Sequence, residues 1–180
     1  MLNSAACPAC GRVDWASHLE FPAMTPAVSR EIADNWKYPS PFDFYDATAD
    51  PEDYQEFITP SLWPAIFRQV RHCGNLVGFL TAQEACGRSA CEISLGMHPD
   101  LTGKGLGLSF LTACLAWLTE RGCRSRFTLS VAAFNTRAIK VYRAAGFSKV
   151  REFAQETNGG VYDFIEMERD NTSLLDEQRF

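Results

Sequence analysis

No apolar run in this chain approaches the roughly 18 residues that a membrane-spanning helix needs, so no membrane partner is expected. The opening residues, MLNSAACPACGR, lack the basic and apolar regions of a secretory leader, and no signal peptide is read there. Basic charge is also in short supply. The formal net charge is −5, and general nucleic-acid binding needs a basic face, so no nucleic-acid partner is expected. The same balance leaves room for a cationic acceptor such as an amine. Cys7-Pro-Ala-Cys10 is half of a zinc ribbon, but no second CxxC follows to complete a structural site. Cys73, Cys86, Cys91 or His18 could join it only through the fold. The expectation is therefore no metal, with residues 1–16 as a tail that carries the knuckle. Seven cysteines, odd in number and scattered, fit a reducing cytoplasm better than a disulfide framework. Internal repeats and low-complexity segments are absent as well.

What is present suits one domain. A chain of 180 residues with 46% hydrophobic and 22% charged residues can bury a real core. The domain is expected over residues 17–169, followed by a polar tail over 170–180. A short strand over 18–21 ends at Pro22, and Thr25 with Pro26 opens a helix to about Asn35. Residues 36–48 form an aromatic, proline-broken loop, whose Tyr38, Phe44 and Tyr45 are candidates for a pocket wall as well as for packing. A second short helix follows over 50–59. Strands over 64–71, 76–83 and 91–98 are joined by turns at Cys73-Gly74-Asn75 and Gly87-Arg88-Ser89, which makes an antiparallel meander. Leu108, Leu111, Leu115 and Leu118 recur at helical spacing and predict one buried stripe to about Glu120. Phe127, Leu129 and Val131 mark a central strand. Asn135 opens a helix that Gly146 ends, and two last strands turn at Asn158-Gly159-Gly160. A helix between successive strands after residue 100 requires a crossover and one parallel pair. The fold class is α/β, a mixed sheet with helices on both faces.

The informative stretch is Glu92 to Leu108, EISLGMHPDLTGKGLGL. An apolar strand ends at Pro99, a turn carries Gly103, Gly105 and Gly107, and a helix begins at once. Glycines there let a ligand approach the backbone, and the unpaired N–H groups of a helix start favour an anion, most naturally a phosphate or pyrophosphate. A P-loop is excluded, because His98 stands at its first glycine and Gly105 at its Ser/Thr position. A dinucleotide fingerprint is excluded by Leu108, which stands where its third glycine should be.

HPDLTGKGLG resembles the acetyl-CoA loop of the GNAT N-acetyltransferase superfamily, R/Q-x-x-G-x-G/A. NTRAIKVYRAAGF, following the strand RFTLSVAAF, resembles that family's second signature, N-x-x-A-x-x-x-Y-x-x-x-G-F. Both occur in the family's order and spacing. The resemblance implies the GNAT fold, a mostly antiparallel sheet of about six or seven strands with one splayed parallel pair. It implies acetyl-CoA as co-substrate, held at its pyrophosphate by Thr102, Gly103, Lys104, Gly105, Leu106, Gly107 and Leu108. Thr102 departs from the family's Arg or Gln, and Lys104 is the candidate for compensating charge. The backbone of Leu95 and Met97 would hold the pantetheine arm, Gly96 would suit a bulge, and an N–H near Met97 would face the oxyanion. Asn135 and Ala138 would also touch the donor. Tyr142 would be the general acid for the thiolate, with core packing as its alternative. Glu92 is the candidate general base, directly or through water, although its alternation differs from that of Ile93, Leu95 and Met97. Glu52, Asp53 and Glu84 compete with it.

The expected function is a cytoplasmic N-acetyltransferase. It would move an acetyl group from acetyl-CoA to a primary amine of a small molecule or peptide, by direct attack in a ternary complex. A non-catalytic acyl-CoA-binding module and a zinc-knuckle interaction protein are the alternatives. Either a monomer or a homodimer is compatible, the latter through an exposed final strand.

Overall fold

Two helix starts in this chain are set by oxygen-bearing caps followed by proline. In the computed structural model, which describes residues 12–84, 90–123 and 126–171, the Thr25 hydroxyl accepts the Val28 N–H at the start of α1 (Pro26–Asn35). Asp50 does the same at α2 (Pro51–Ile58), accepting from the Glu52 and Asp53 N–H groups. The strands are β1 (Leu19–Glu20), β2 (Ile66–His72), β3 (Asn75–Glu84), β4 (Cys91–Met97), β5 (Arg126–Ala132), β6 (Ser148–Thr157) and β7 (Gly160–Asp170). Two further helices, α3 (Gly107–Glu120) and α4 (Thr136–Ala144), flank β5 in sequence. Together the strands form one seven-stranded sheet in the order β1-β2-β3-β4-β5-β7-β6, antiparallel throughout except for β4 and β5.

Alternation along the strands divides the core. Phe67 of β2 faces α1 and packs with Met24, Ile32 and Trp36. Val70, Leu80 and Ala82 point the other way, toward Phe110, Leu111, Cys114, Leu115 and Leu118 of α3. Helices thus cover both faces, as the fold class requires. Within that core, the free thiols of Cys91 and Cys123 lie 3.2 Å apart, and burial pushes the Cys91 thiol up to about 12.

Four local expectations need correction. The β2–β3 hairpin turns on two residues, not three: Cys73 and Gly74 both have positive φ, at 47° and 78°. Leu108 is 41% exposed, because the buried face of α3 is carried by Phe110 and Cys114 beside the leucines. The last strand is not a sheet edge. β7 doubles back from Asn158-Gly159 to lie between β5 and β6, so β6 is the edge. Finally, Gly96 marks no bulge, because β3 and β4 pair without a register shift from Gly78↔Met97 to Glu84↔Cys91. The Gly87-Arg88-Ser89 turn and the Cys7/Cys10 knuckle lie outside the described residues. At the two ends, a helical turn over Arg12–His18 stacks Trp15 on His72, and Asn171 is buried beside Thr119.

Asp50 also ties the far hairpin to α2. Its second oxygen accepts from the Asn158 N–H at 2.9 Å and the Thr157 hydroxyl at 3.4 Å. The Asn158 N–H is the largest reason why its carboxyl titrates below the ordinary aspartate value. A lowered folded value means that this carboxylate stabilises the fold above the ordinary aspartate range. That contribution is lost as pH falls through the lowered value. Asp50→Asn is therefore expected to melt earlier at neutral pH and to show a flatter decline in melting temperature on acidification. Parallel curves for the two proteins would show that the contact carries no stability.

Candidate active site

Parallel strands β4 and β5 bridge only at Cys91↔Phe127 and Glu92↔Thr128, and then diverge. The His98 N–H bonds to the Val77 carbonyl at 2.9 Å, which turns the even-numbered backbone groups of β4 toward β3. By alternation, the N–H and C=O groups of Leu95 and Met97 face the gap where β5 has moved away. One of them has a partner across it: the Tyr38 hydroxyl donates to the Met97 carbonyl at 2.9 Å. Gly96 has a different purpose from the one its position suggests. A Cβ built there would lie 2.2 Å from the Phe79 ring, so glycine lets that ring cross the strand.

The loop after β4 begins as a helical turn over Pro99–Leu101, capped by the His98 ring, which accepts the Asp100 N–H. Thr102 spends its hydroxyl inside this turn, donating to the Pro99 carbonyl at 2.9 Å. Gly103 and Gly105 have φ of 73° and 78°, a region that costs other residues about 1–2 kcal/mol. Gly107 has a different reason to be small, since a Cβ there would meet Val141 of α4 at 3.2 Å. Leu106 caps α3 with no side-chain hydrogen bond, and among the described residues no side chain is found on the N–H groups of the first turn. These features fit a phosphate group: a bare backbone concavity and the positive end of a fourteen-residue helix.

Helix α4 closes the other side. The Asn135 side-chain oxygen Oδ1 is committed to capping, accepting the Ala138 N–H at 3.1 Å. Tyr142, two turns on, packs on Phe147. Burial and then the neighbouring Tyr45 hold its phenol well above the ordinary tyrosine value, so it stays protonated through neutral pH. Tyr45 accepts the Ala132 N–H at 3.3 Å and is raised by burial, which its hydrogen bonds to Asn135 and Ala132 partly offset. Tyr38 is raised by burial and then by the charge of Asp46.

These elements enclose a cavity of about 490 Å³. Leu95, Gly96, Met97, Thr102, Gly103, Gly105, Gly107, Leu108, Asn135, Ala138 and Tyr142 line it, together with Tyr38 and Tyr45. Four expected site residues lie elsewhere. Glu92 is exposed where the two strands still pair, and its carboxylate accepts from the Gln83 amide at 3.3 Å. It stands before the point where the strands part, and it is not among the residues that line the cavity. Phe44 packs edge-on against Phe134 and Tyr162. Lys104 and Leu106 line a groove along the outer side of α3, with Trp117 and Leu19, which meets the cavity at Gly105 and Leu108. Competitors Glu52, Asp53 and Glu84 are not among the lining residues either.

Sequence reasoning missed Arg137, Phe42, Phe79, Ser94 and Ser130, all of which line the cavity. Arg137 had a signal, since it stands two residues after Asn135 at the same end of α4. Phe42 belonged to the aromatic loop. For Phe79 there was none, because its direction depends on the empty space above Gly96. No group of three or more metal-ligating side chains occurs among the described residues, and none of the helices there is long and apolar enough to cross a membrane.

Known proteins share part of this sequence, and others share its fold. The chain is 39% identical over 80 residues to mycothiol acetyltransferase of Propionibacterium freudenreichii, covering 43% of this chain and 25% of that protein. It is 44% identical over 55 residues to mycothiol acetyltransferase of Saccharopolyspora erythraea, covering 31% and 18%. It thus spans a quarter or less of the length of these curated relatives. Among solved structures, a chimera of the Vibrio cholerae spermidine N-acetyltransferase SpeG and hSSAT superposes with a TM-score of 0.68 at 20% identity, covering 89% of this chain and 99% of that one. A putative phosphinothricin N-acetyltransferase gives a TM-score of 0.64 at 20% identity, with coverages of 84% and 98%. At that identity the likeness speaks to the fold alone. The sequence match that spans the splayed strands, the glycine loop and α4 is to the Acetyltransferase (GNAT) family, over residues 27–147, and this chain belongs to that family.

Proposed function

We propose that this chain transfers an acetyl group from acetyl-CoA to a primary amine, with both held at once. The observation that carries this reading is one cavity shared by three features: the open edge of β4, the glycine loop with its uncapped helix start, and a protonated tyrosine. The thioester of acetyl-CoA supplies the activated acyl group. Gly103, Gly105 and the first turn of α3 would receive its pyrophosphate, and the free backbone groups of Leu95 and Met97 would pair with the pantetheine arm. Tyr38 would then release the Met97 carbonyl or share it. The Met97 N–H faces the same gap and would donate to the oxygen that becomes negative when the amine attacks. As the carbon–nitrogen bond forms and the carbon–sulfur bond breaks, Tyr142 would give its proton to the leaving sulfur, and the proton shed by the attacking nitrogen would return to the Tyr142 oxygen, directly or through water. With Glu92 away from the cavity, the acceptor would enter as a neutral amine between Tyr38 and Tyr45.

Acetyl-CoA at a hundredfold excess over its Kd is expected to stabilise the native chain by about 2.7 kcal/mol, read as a rise in melting temperature. An unchanged melting temperature with acetyl-CoA and with other acyl-CoA thioesters would remove the proposal. Acetyl-CoA consumption over a panel of amines, including spermidine and phosphinothricin because relatives of this fold are named for them, then identifies the acceptor by product mass.

A further inference from the structure

The geometry points to Arg137 as the cation that grips the donor's pyrophosphate, in place of the side chain that Thr102 does not provide. This rests on the acetyl-CoA reading of the cavity. Neither side chain expected to bring polarity or charge from the loop is placed to do so. The Thr102 hydroxyl is turned back onto Pro99, and Lys104 lines the outer groove of α3. Arg137 is the one charged side chain among the described residues that line the cavity. It comes from α4 and reaches across to the glycine loop. Its Nη1 lies 3.7 Å from where a Cβ on Gly103 would stand. That distance is ordinary contact, so the guanidinium lies against the loop, while glycine at 103 is required by its positive φ.

Two further observations favour an anion beside Arg137. The guanidinium lies over the Phe42 ring, 3.8 Å from its centre. Stacking uses the face of the guanidinium and leaves the N–H groups on its edge free for phosphate oxygens, which a planar fork can meet in pairs. Arg137 also stands in the first turn of α4, where the helix dipole disfavours a cation. No ion pair with a carboxylate is found for it among the described residues, so no opposite charge there offsets that cost. A pyrophosphate at the loop would. Phe42 belongs to the aromatic loop, and through it Arg137 joins the donor site to the expected acceptor wall.

The test compares donors that differ only in their charged end. Kd values for acetyl-CoA, 3′-dephospho-acetyl-CoA and S-acetylpantetheine, which has no pyrophosphate, are measured for the unmodified chain, Arg137→Gln and Arg137→Lys. Arg137 is exposed, and the melting temperature of each free variant verifies the fold. Arg137→Gln is expected to weaken both nucleotide-bearing donors about ten- to hundredfold, with S-acetylpantetheine unchanged, and Arg137→Lys to recover part of the loss. Equal losses on all three donors, or no loss on acetyl-CoA, would overturn the assignment. A loss that vanishes for the 3′-dephospho donor would move the contact to the 3′-phosphate and overturn it as stated. Failure of the unmodified chain to bind any nucleotide-bearing donor defeats the acetyl-CoA reading itself, a result visible before any variant is made.

Discussion

Tyr142→Phe is expected to lower kcat by about 10²–10⁴-fold while leaving acetyl-CoA binding nearly unchanged. The ring keeps its packing on Phe147, so the fold and the cavity wall stay in place and only the hydroxyl is lost. That hydroxyl is suited to donate. Burial and the neighbouring Tyr45 raise its titration, so the proton is present throughout the neutral range. The sign of the pH dependence follows. A group that must be protonated to act is lost only as pH rises through its own value, which here lies above the ordinary tyrosine range. The unmodified chain should therefore show no fall in kcat assignable to Tyr142 between neutral pH and that range. Measuring kcat and acetyl-CoA Kd separately decides the matter, and small, equal changes in both would leave Tyr142 as a packing residue.

The second large effect concerns Gly96. Gly96→Ala places a methyl group 2.2 Å from the Phe79 ring, which is itself held by Phe57, Phe67 and Trp36. A ring so enclosed cannot move aside freely, and overpacking of this kind costs about 1–3 kcal/mol. In a chain of this size each kcal/mol shifts the melting temperature by about 2–4 °C. Because Gly96 also lines the cavity, acetyl-CoA affinity should fall with stability. Gly96→Ala combined with Phe79→Ala gives the diagnostic cycle. If the clash is the cause, the double variant loses less than the sum of the singles. Strict additivity would show that the two residues do not meet as described.

Much of this was legible because it is local. Thr25-Pro26 and Asp50-Pro51 mark helix starts by cap chemistry that involves only a few neighbouring residues. The glycine loop and the Asn135-to-Tyr142 spacing lie within single segments, and the two signatures placed them against each other by resemblance. What misled the reading were properties of neighbours distant in sequence. Leu108 fits a leucine stripe, yet Phe110 and Cys114 take the buried face. Lys104 sits amid the loop, but the direction in which the loop leaves β4 sends it to the outer groove.

The sequence by itself determined the alternating pattern that makes the strands, the caps that start the helices, and the glycines that free a loop for an anion. Each depends on residues within a turn or two of one another. Tertiary structure alone decided which charge meets that loop. Arg137 reaches Gly103 only because α4 packs beside α3, with Gly107 against Val141. It decided, too, that Glu92 stands where the parallel strands still pair, and that Met97 faces the gap where they have parted. Those are consequences of how far two strands stay together, and no short run of residues encodes that distance.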